Sequence, residues 1–133
     1  MRRDTLGRIL AFASIVEVGT ALILLLDPAI VVKLLLGVEI SGTVAIVGRC
    51  FGIALLALGA ACWPSGQTAE RRASTFRAML IYNALIAAYL AYLYAVEHVG
   101  GTLLWPGAAL HAIVAVLLAW AWRHGRGTQM AEK

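Results

Sequence analysis

At 133 residues the chain has room for one domain, and 62% of it is hydrophobic, against roughly 45–50% in soluble domains. A small soluble domain cannot hide that much apolar surface, so a bilayer is the natural solvent. The net charge of +4 does not point to nucleic acid, because the basic residues collect between and beyond the apolar runs and not along one binding face.

Four apolar stretches, at about 8–26, 42–63, 77–96 and 103–122, each come near the ~20 residues that a spanning helix requires. They predict a single all-α integral membrane domain over 1–133, with four transmembrane helices and no length left for a soluble unit. The first stretch follows "MRRDTLGR", a charged start of the kind that opens a secretory leader. Its apolar run outlasts the ~7–15 residues of a leader and ends in "LLLDPAIVV" without a small-x-small cleavage pattern, so a retained helix is expected. Asp27 and Pro28 then open the segment 28–41, "PAIVVKLLLGVEIS", which is too short to span. Two readings of it stay open: an amphipathic helix in the outer interface with Lys33 reaching water, or a loop covering the bundle.

The second helix stops at "WPSG", where Trp63 suits an interface and Pro64 cannot continue the helix. A short basic loop, "SGQTAERRAST", leads to the third helix, which ends at the tight turn "EHVGGT". The fourth begins near "LLWPG", with Pro106 early enough to be tolerated. It closes at "WAWRHGRG", where Trp120 and Trp122 suggest an aromatic belt, Gly125 a stop and the remaining tail a segment outside the bundle. Arg2, Arg3 and Arg8 precede the first helix; Arg71, Arg72 and Arg77 lie at the middle loop; Arg123, Arg126 and Lys133 follow the fourth. Lys33 alone is basic on the other side. The positive-inside rule then puts both termini in the cytoplasm, N-in and C-in, in a bacterial-type inner (plasma) membrane. Short loops predict an up-down-up-down bundle of consecutive neighbours. Small residues at Gly48 and Gly52, and alanines on the third and fourth helices, have the spacing used for close helix contact.

Cys50 and Cys62 lie on one predicted helix about 18 Å apart, too far to pair, and are expected to be buried small groups. No His/Cys cluster has metal spacing. His98 and His124 fall at opposite interfaces, so His111 has no intramembrane partner for haem. Neither a metal nor a cofactor is expected.

Every predicted helix carries a polar residue that lipid would reject. Glu17, with Ser14 and Thr20, lies on the first, Arg49 on the second, Tyr82, Asn83 and Tyr89 on the third, and His111 on the fourth. Counting from the outer helix ends puts Glu17 about 13 Å deep, Arg49 about 10 Å, His111 about 12 Å and Tyr89 about 10 Å. Asn83 falls deeper, at about 20 Å. The simplest expectation is a Glu17–Arg49 ion pair, with Gly48 and Gly52 permitting the approach and His111 and Tyr89 completing the hydrogen bonding. Tyr82, Asn83 and Thr20 form a secondary polar set. The layer is either a satisfied core that fixes helix register or the lining of a site for a polar ligand, a quinone headgroup or a proton.

Two resemblances carry further expectations. "SIVEVGTALIL" resembles the first helix of the small multidrug resistance transporters, in which a glutamate serves as the proton and cation site; Glu17 would take that role. The basic residue on the second helix departs from that pattern. The "DP" break followed by "GRCFGIALLALG" resembles the DoxX-like group of small bacterial four-helix membrane proteins, which implies the fold and a proposed link to quinone or redox partners. The composition and motifs together favour a non-catalytic membrane protein, either an accessory or assembly subunit of a larger complex or a homo-oligomer, with the lipid bilayer as its constant partner. A proton-coupled transporter or binder of a small cation or polar organic molecule is the alternative, with Glu17 as its site. A quinone-linked enzyme using His111 and Tyr89 comes third. No nucleophile–base pair, paired carboxylates or phosphate loop supports catalysis.

Overall fold

The computed structural model describes residues 2–66 and 68–130. The chain is all-helical: α1 (Arg2–Leu26), α2 (Pro28–Leu36), α3 (Thr43–Ala61), α4 (Ala69–Ala95) and α5 (Leu104–Met130). Four of these are long and apolar enough to cross a membrane, over Thr5–Leu26, Thr43–Ala61, Glu70–Ala95 and Leu104–His124.

The helix ends follow local chemistry. Asp27 starts α2, its Oδ1 accepting from the Ala29 amide at 3.0 Å and from the Ile30 amide at 3.4 Å, with Pro28 at the first turn where no amide is needed. Gly37 ends it in the left-handed region at φ 74, and its amide bonds the Lys33 carbonyl. The open question over segment 28–41 thus resolves into a helix followed by an irregular stretch. Lys33 is exposed and ion-paired to Glu39 at 2.5 Å, which holds its ammonium above the usual lysine range by hydrogen bond and charge. α4 begins at Ala69, ahead of the expected 77, because the Thr68 hydroxyl accepts from the Arg71 amide and Glu70 complements the first turn. α5 continues through the expected stop at Gly125 to Met130, and residues 131–133 lie outside the described part.

The helices group as two pairs. α3 packs along α1, α4 packs along α5, and the pairs meet where α1 lies against α5. Consecutive helices are expected to be neighbours throughout, yet α3 and α4 make no extended contact among the described residues. They touch through side chains instead, as where the Cys62 thiol donates to the Thr75 carbonyl at 3.8 Å. The reason is steric: glycines open α1 to α3, and α1 then occupies the place beside α5. A Cβ at Gly52 would meet Leu24 Cβ at 3.0 Å and the Ala21 carbonyl at 3.1 Å. At Gly59 it would meet Val18 Cγ2 at 2.8 Å and the Ser14 carbonyl at 3.2 Å.

Two apolar clusters stack along the molecule. Leu10, Ala13, Cys62, Phe76, Met79, Val114 and Leu118 form one, braced by Phe76 and Trp122 stacked at 4.6 Å. Ala21, Leu24 and Leu55 form the other, with Val31 and Tyr82 against them. Lipid tails are as apolar as leucine, so these clusters hold by close packing more than by escape from water. Between them lies a polar layer.

Candidate functional site

Glu17 occupies the face of α1 turned to α4 and α5 and is 1% exposed; Ser14, one turn before it, is 0% exposed. From α5, His111 brings Nδ1 to 3.9 Å from Glu17 Oε1. From α4, Asn83 is 1% exposed and its Oδ1 stands 2.8 Å from the same Nδ1. The Asn83 amide nitrogen donates to the Met79 carbonyl at 2.9 Å, one turn back on its own helix. Tyr82 meets the His111 ring edge-on with centroids 5.9 Å apart, and its hydroxyl is near enough to the Glu17 carboxyl group to interact with it. Glu17, His111, Asn83 and Tyr82 therefore share one layer at the junction of the two helix pairs. Thr20 is half-buried on α1, one turn past Glu17.

Arg49 is absent from that layer, and this corrects the expected ion pair. It is exposed, and its Nε donates to the Leu25 carbonyl at 3.2 Å. The cause is the break at Asp27–Pro28. The Leu25 carbonyl would ordinarily accept from the Ala29 amide four residues on, but that amide is held by Asp27 Oδ1. An orphan carbonyl remains at the negative end of the α1 dipole, where a cation is favoured. Eight residues of helix, about 12 Å, separate Leu25 from Glu17. Close approach of α3 is nonetheless real: a Cβ at Gly48 would strike Pro28 Cβ at 2.7 Å. Cys50, expected to be buried, is exposed, whereas Cys62 is buried.

Tyr89 is likewise outside the layer. It is 57% exposed and stacks on Tyr92 at 6.3 Å, while Tyr92 donates to Glu97 at 2.8 Å. Asn83, expected to lie deeper than His111, takes the place meant for Tyr89. A count of backbone depth from the helix ends does not include side-chain reach, and the Asn83 and His111 side chains close the gap between their backbones. The chain doubles back beside the last turn of α4, with the Val99 amide bonding the Leu93 carbonyl at 3.2 Å and His98 at φ 53. The Gly101 and Leu103 amides then bond the Leu35 and Leu34 carbonyls at 2.7 and 2.8 Å. α5 thus begins beside the last turn of α4, with Trp105 4.7 Å from Tyr94.

Chemically the layer holds one carboxyl group, one imidazole, an amide, a phenol and the Ser14 hydroxyl. Two of its polar atoms, Glu17 Oε1 and Ser14 Oγ, are buried without a hydrogen-bond partner. Buried polar atoms are nearly always satisfied, so two orphans one helical turn apart set this layer apart from the apolar clusters on either side. Among the described residues no three His, Cys, Asp or Glu side chains converge as metal ligands. Ser14, Tyr82 and Asn83 carry more of the site than sequence reasoning gave them. The available signal was the spacing of Ser14 and Glu17, three apart on one helix face. Compared with known proteins, the chain matches no family model, no curated protein and no solved structure.

Proposed function

We propose that the chain is a proton-binding membrane module, the core of a small proton-coupled binder or transporter for a cation or polar organic molecule. Glu17 is the group that takes up and releases the proton, and His111, Asn83 and Tyr82 surround it. One observation carries this reading: Glu17 is 1% exposed and its Oε1 has no partner. A register lock would have given that oxygen a hydrogen bond and the carboxyl group a permanent cation; Arg49, the residue expected to supply both, serves Leu25 instead. Without a counter-ion, an ionisable group at membrane depth is a functional group by default. The position adds support, since Glu17 and His111 face each other across the junction of two helix pairs, where a small rocking motion would open the layer to one side.

In this reading the four long helices alternate in direction through a bacterial-type inner membrane, with both termini cytoplasmic. Basic residues at Arg8, Arg71, Arg72 and Arg77 support that orientation. The resemblance of "SIVEVGTALIL" to the small multidrug resistance transporters assigns Glu17 the same role. A second reading, an accessory subunit or homo-oligomer, draws on α3. That helix packs on α1 and α2 and leaves Val44, Ile46, Val47, Phe51 and Ile53 exposed, a face open to lipid or to another chain.

The test is infrared difference spectroscopy of the protein in lipid vesicles between acidic and alkaline pH. A protonated-carboxyl band that disappears in Glu17→Gln and persists in Arg49→Ala is expected. A band unchanged by Glu17→Gln contradicts the proposal.

A further inference from the structure

We infer that Asn83 is a positioning residue that latches His111 in the tautomer carrying its proton on Nδ1, so that Nε2 is the ring atom open to an incoming proton. This deepens the reading of the Glu17–His111 layer as a proton site and rests on it. The latch follows from the hydrogen-bond direction. The Asn83 amide nitrogen donates to the Met79 carbonyl at 2.9 Å, which fixes the side-chain orientation. Turned over, the amide would set its oxygen against that carbonyl and lose the bond. Oδ1, which can only accept, is therefore the atom 2.8 Å from His111 Nδ1. A neutral imidazole in that place keeps its proton on Nδ1 and its lone pair on Nε2. The alternative tautomer would oppose two lone pairs at 2.8 Å in a buried setting.

The consequence for proton movement is specific. Glu17 Oε1, at 3.9 Å, is the next acceptor for the same Nδ1 proton. The His111 side chain is 15% exposed and that of Glu17 1%, so the ring is the more open member of the pair. A proton bonds to Nε2 through its lone pair; the doubly protonated ring then gives up its Nδ1 proton to the carboxylate, the N–H electron pair staying on nitrogen. Asn83 opposes the ring left behind, whose Nδ1 lone pair faces Oδ1, and so favours its return to the starting tautomer. The groups facing His111 are Glu17 from α1 and Tyr82 and Asn83 from α4. α2 packs on α5 through Leu35 near Gly107, while its Lys33 is exposed and engaged with Glu39.

Nitrogen NMR of labelled histidine in vesicles reads the tautomer directly, in a His98→Gln, His124→Gln background that leaves His111 as the reporter. Both replaced residues are exposed. At alkaline pH the neutral His111 ring is expected to carry its hydrogen on Nδ1. Asn83→Leu should abolish that preference and move the ring toward the Nε2–H form. An Nε2–H ring in the Asn83-containing protein overturns the inference without any variant, and so does an Nδ1–H ring that survives Asn83→Leu. The carboxyl band of Glu17 separates the two levels: an intact band with the wrong tautomer removes the latch alone. The right tautomer with no Glu17 band removes the proton-site reading and leaves the latch as geometry.

Discussion

Arg49 is costly in a membrane segment, and its use is to repair a break in another helix. The guanidinium supplies the donor that the diverted Ala29 amide leaves missing at Leu25. Removing it should cost about 1 kcal/mol, the usual net worth of a hydrogen bond, because the site is exposed enough for solvent or headgroups to substitute. Thermal unfolding of Arg49→Ala in nanodiscs measures this. The double variant with Glu17→Gln should be additive within about 0.5 kcal/mol, as for residues without shared partners; a coupling well above that would restore the discarded ion pair. Glu17 and His111 were legible as members of one layer because lipid makes every intramembrane ionisable group conspicuous. The partner of Arg49 was not, since an orphan carbonyl depends on which amide a capping aspartate has taken elsewhere. Asn83 was visible as polar, but a backbone count did not show that its side chain reaches His111.

At the scale of elements, the glycines of α1 and α3 make contrasting predictions. Gly59→Ala presses on the Ser14 carbonyl at 3.2 Å and the Val18 amide at 3.3 Å, backbone atoms that cannot rotate away. It should drive α3 off α1 and destabilise the fold by about 1–3 kcal/mol, the usual cost of overpacking. Gly19 on α1 has nothing within 4 Å of an added Cβ, so Gly19→Ala should be neutral or stabilising by up to about 1 kcal/mol through helix propensity. Denaturation of the two variants side by side tests the pairing of these helices. Segment 37–42 is tied down partly by Lys33 and Glu39. The Lys33 pKa is raised, so its contribution is complete below the ordinary lysine value of 10.5 and is lost as pH climbs through the raised one. Proteolysis within 37–42 should therefore be flat with pH through neutrality and rise only in strong alkali. The four long helices were readable from apolar length, whereas "DP" marked where segment 28–41 begins without deciding between helix and loop. The return of residues 99–103 onto α2 was not readable, because it rests on backbone bonds from Gly101 and Leu103 to Leu35 and Leu34 that no sequence pattern announces.

The whole molecule is two helix pairs meeting at a polar layer, and that arrangement is where sequence and structure part most. Neighbours in the chain suggested a ring of four; glycine-mediated packing of α3 on α1 gave a divided molecule with its ionisable groups at the division. If Glu17 is a site, its buried, unpartnered oxygen is a standing cost accepted for function, of about 1–3 kcal/mol for an unsatisfied group. Glu17→Gln keeps an acceptor for Tyr82 and removes the capacity to carry a charge. The most direct measurement is the unfolding midpoint of Glu17→Gln against the unaltered protein in the same lipid at neutral pH. A proton site predicts a higher midpoint together with loss of the carboxyl band. A lower midpoint, with the double variant Glu17→Gln, His111→Gln lower still, would mark the layer as the lock that holds the two pairs together.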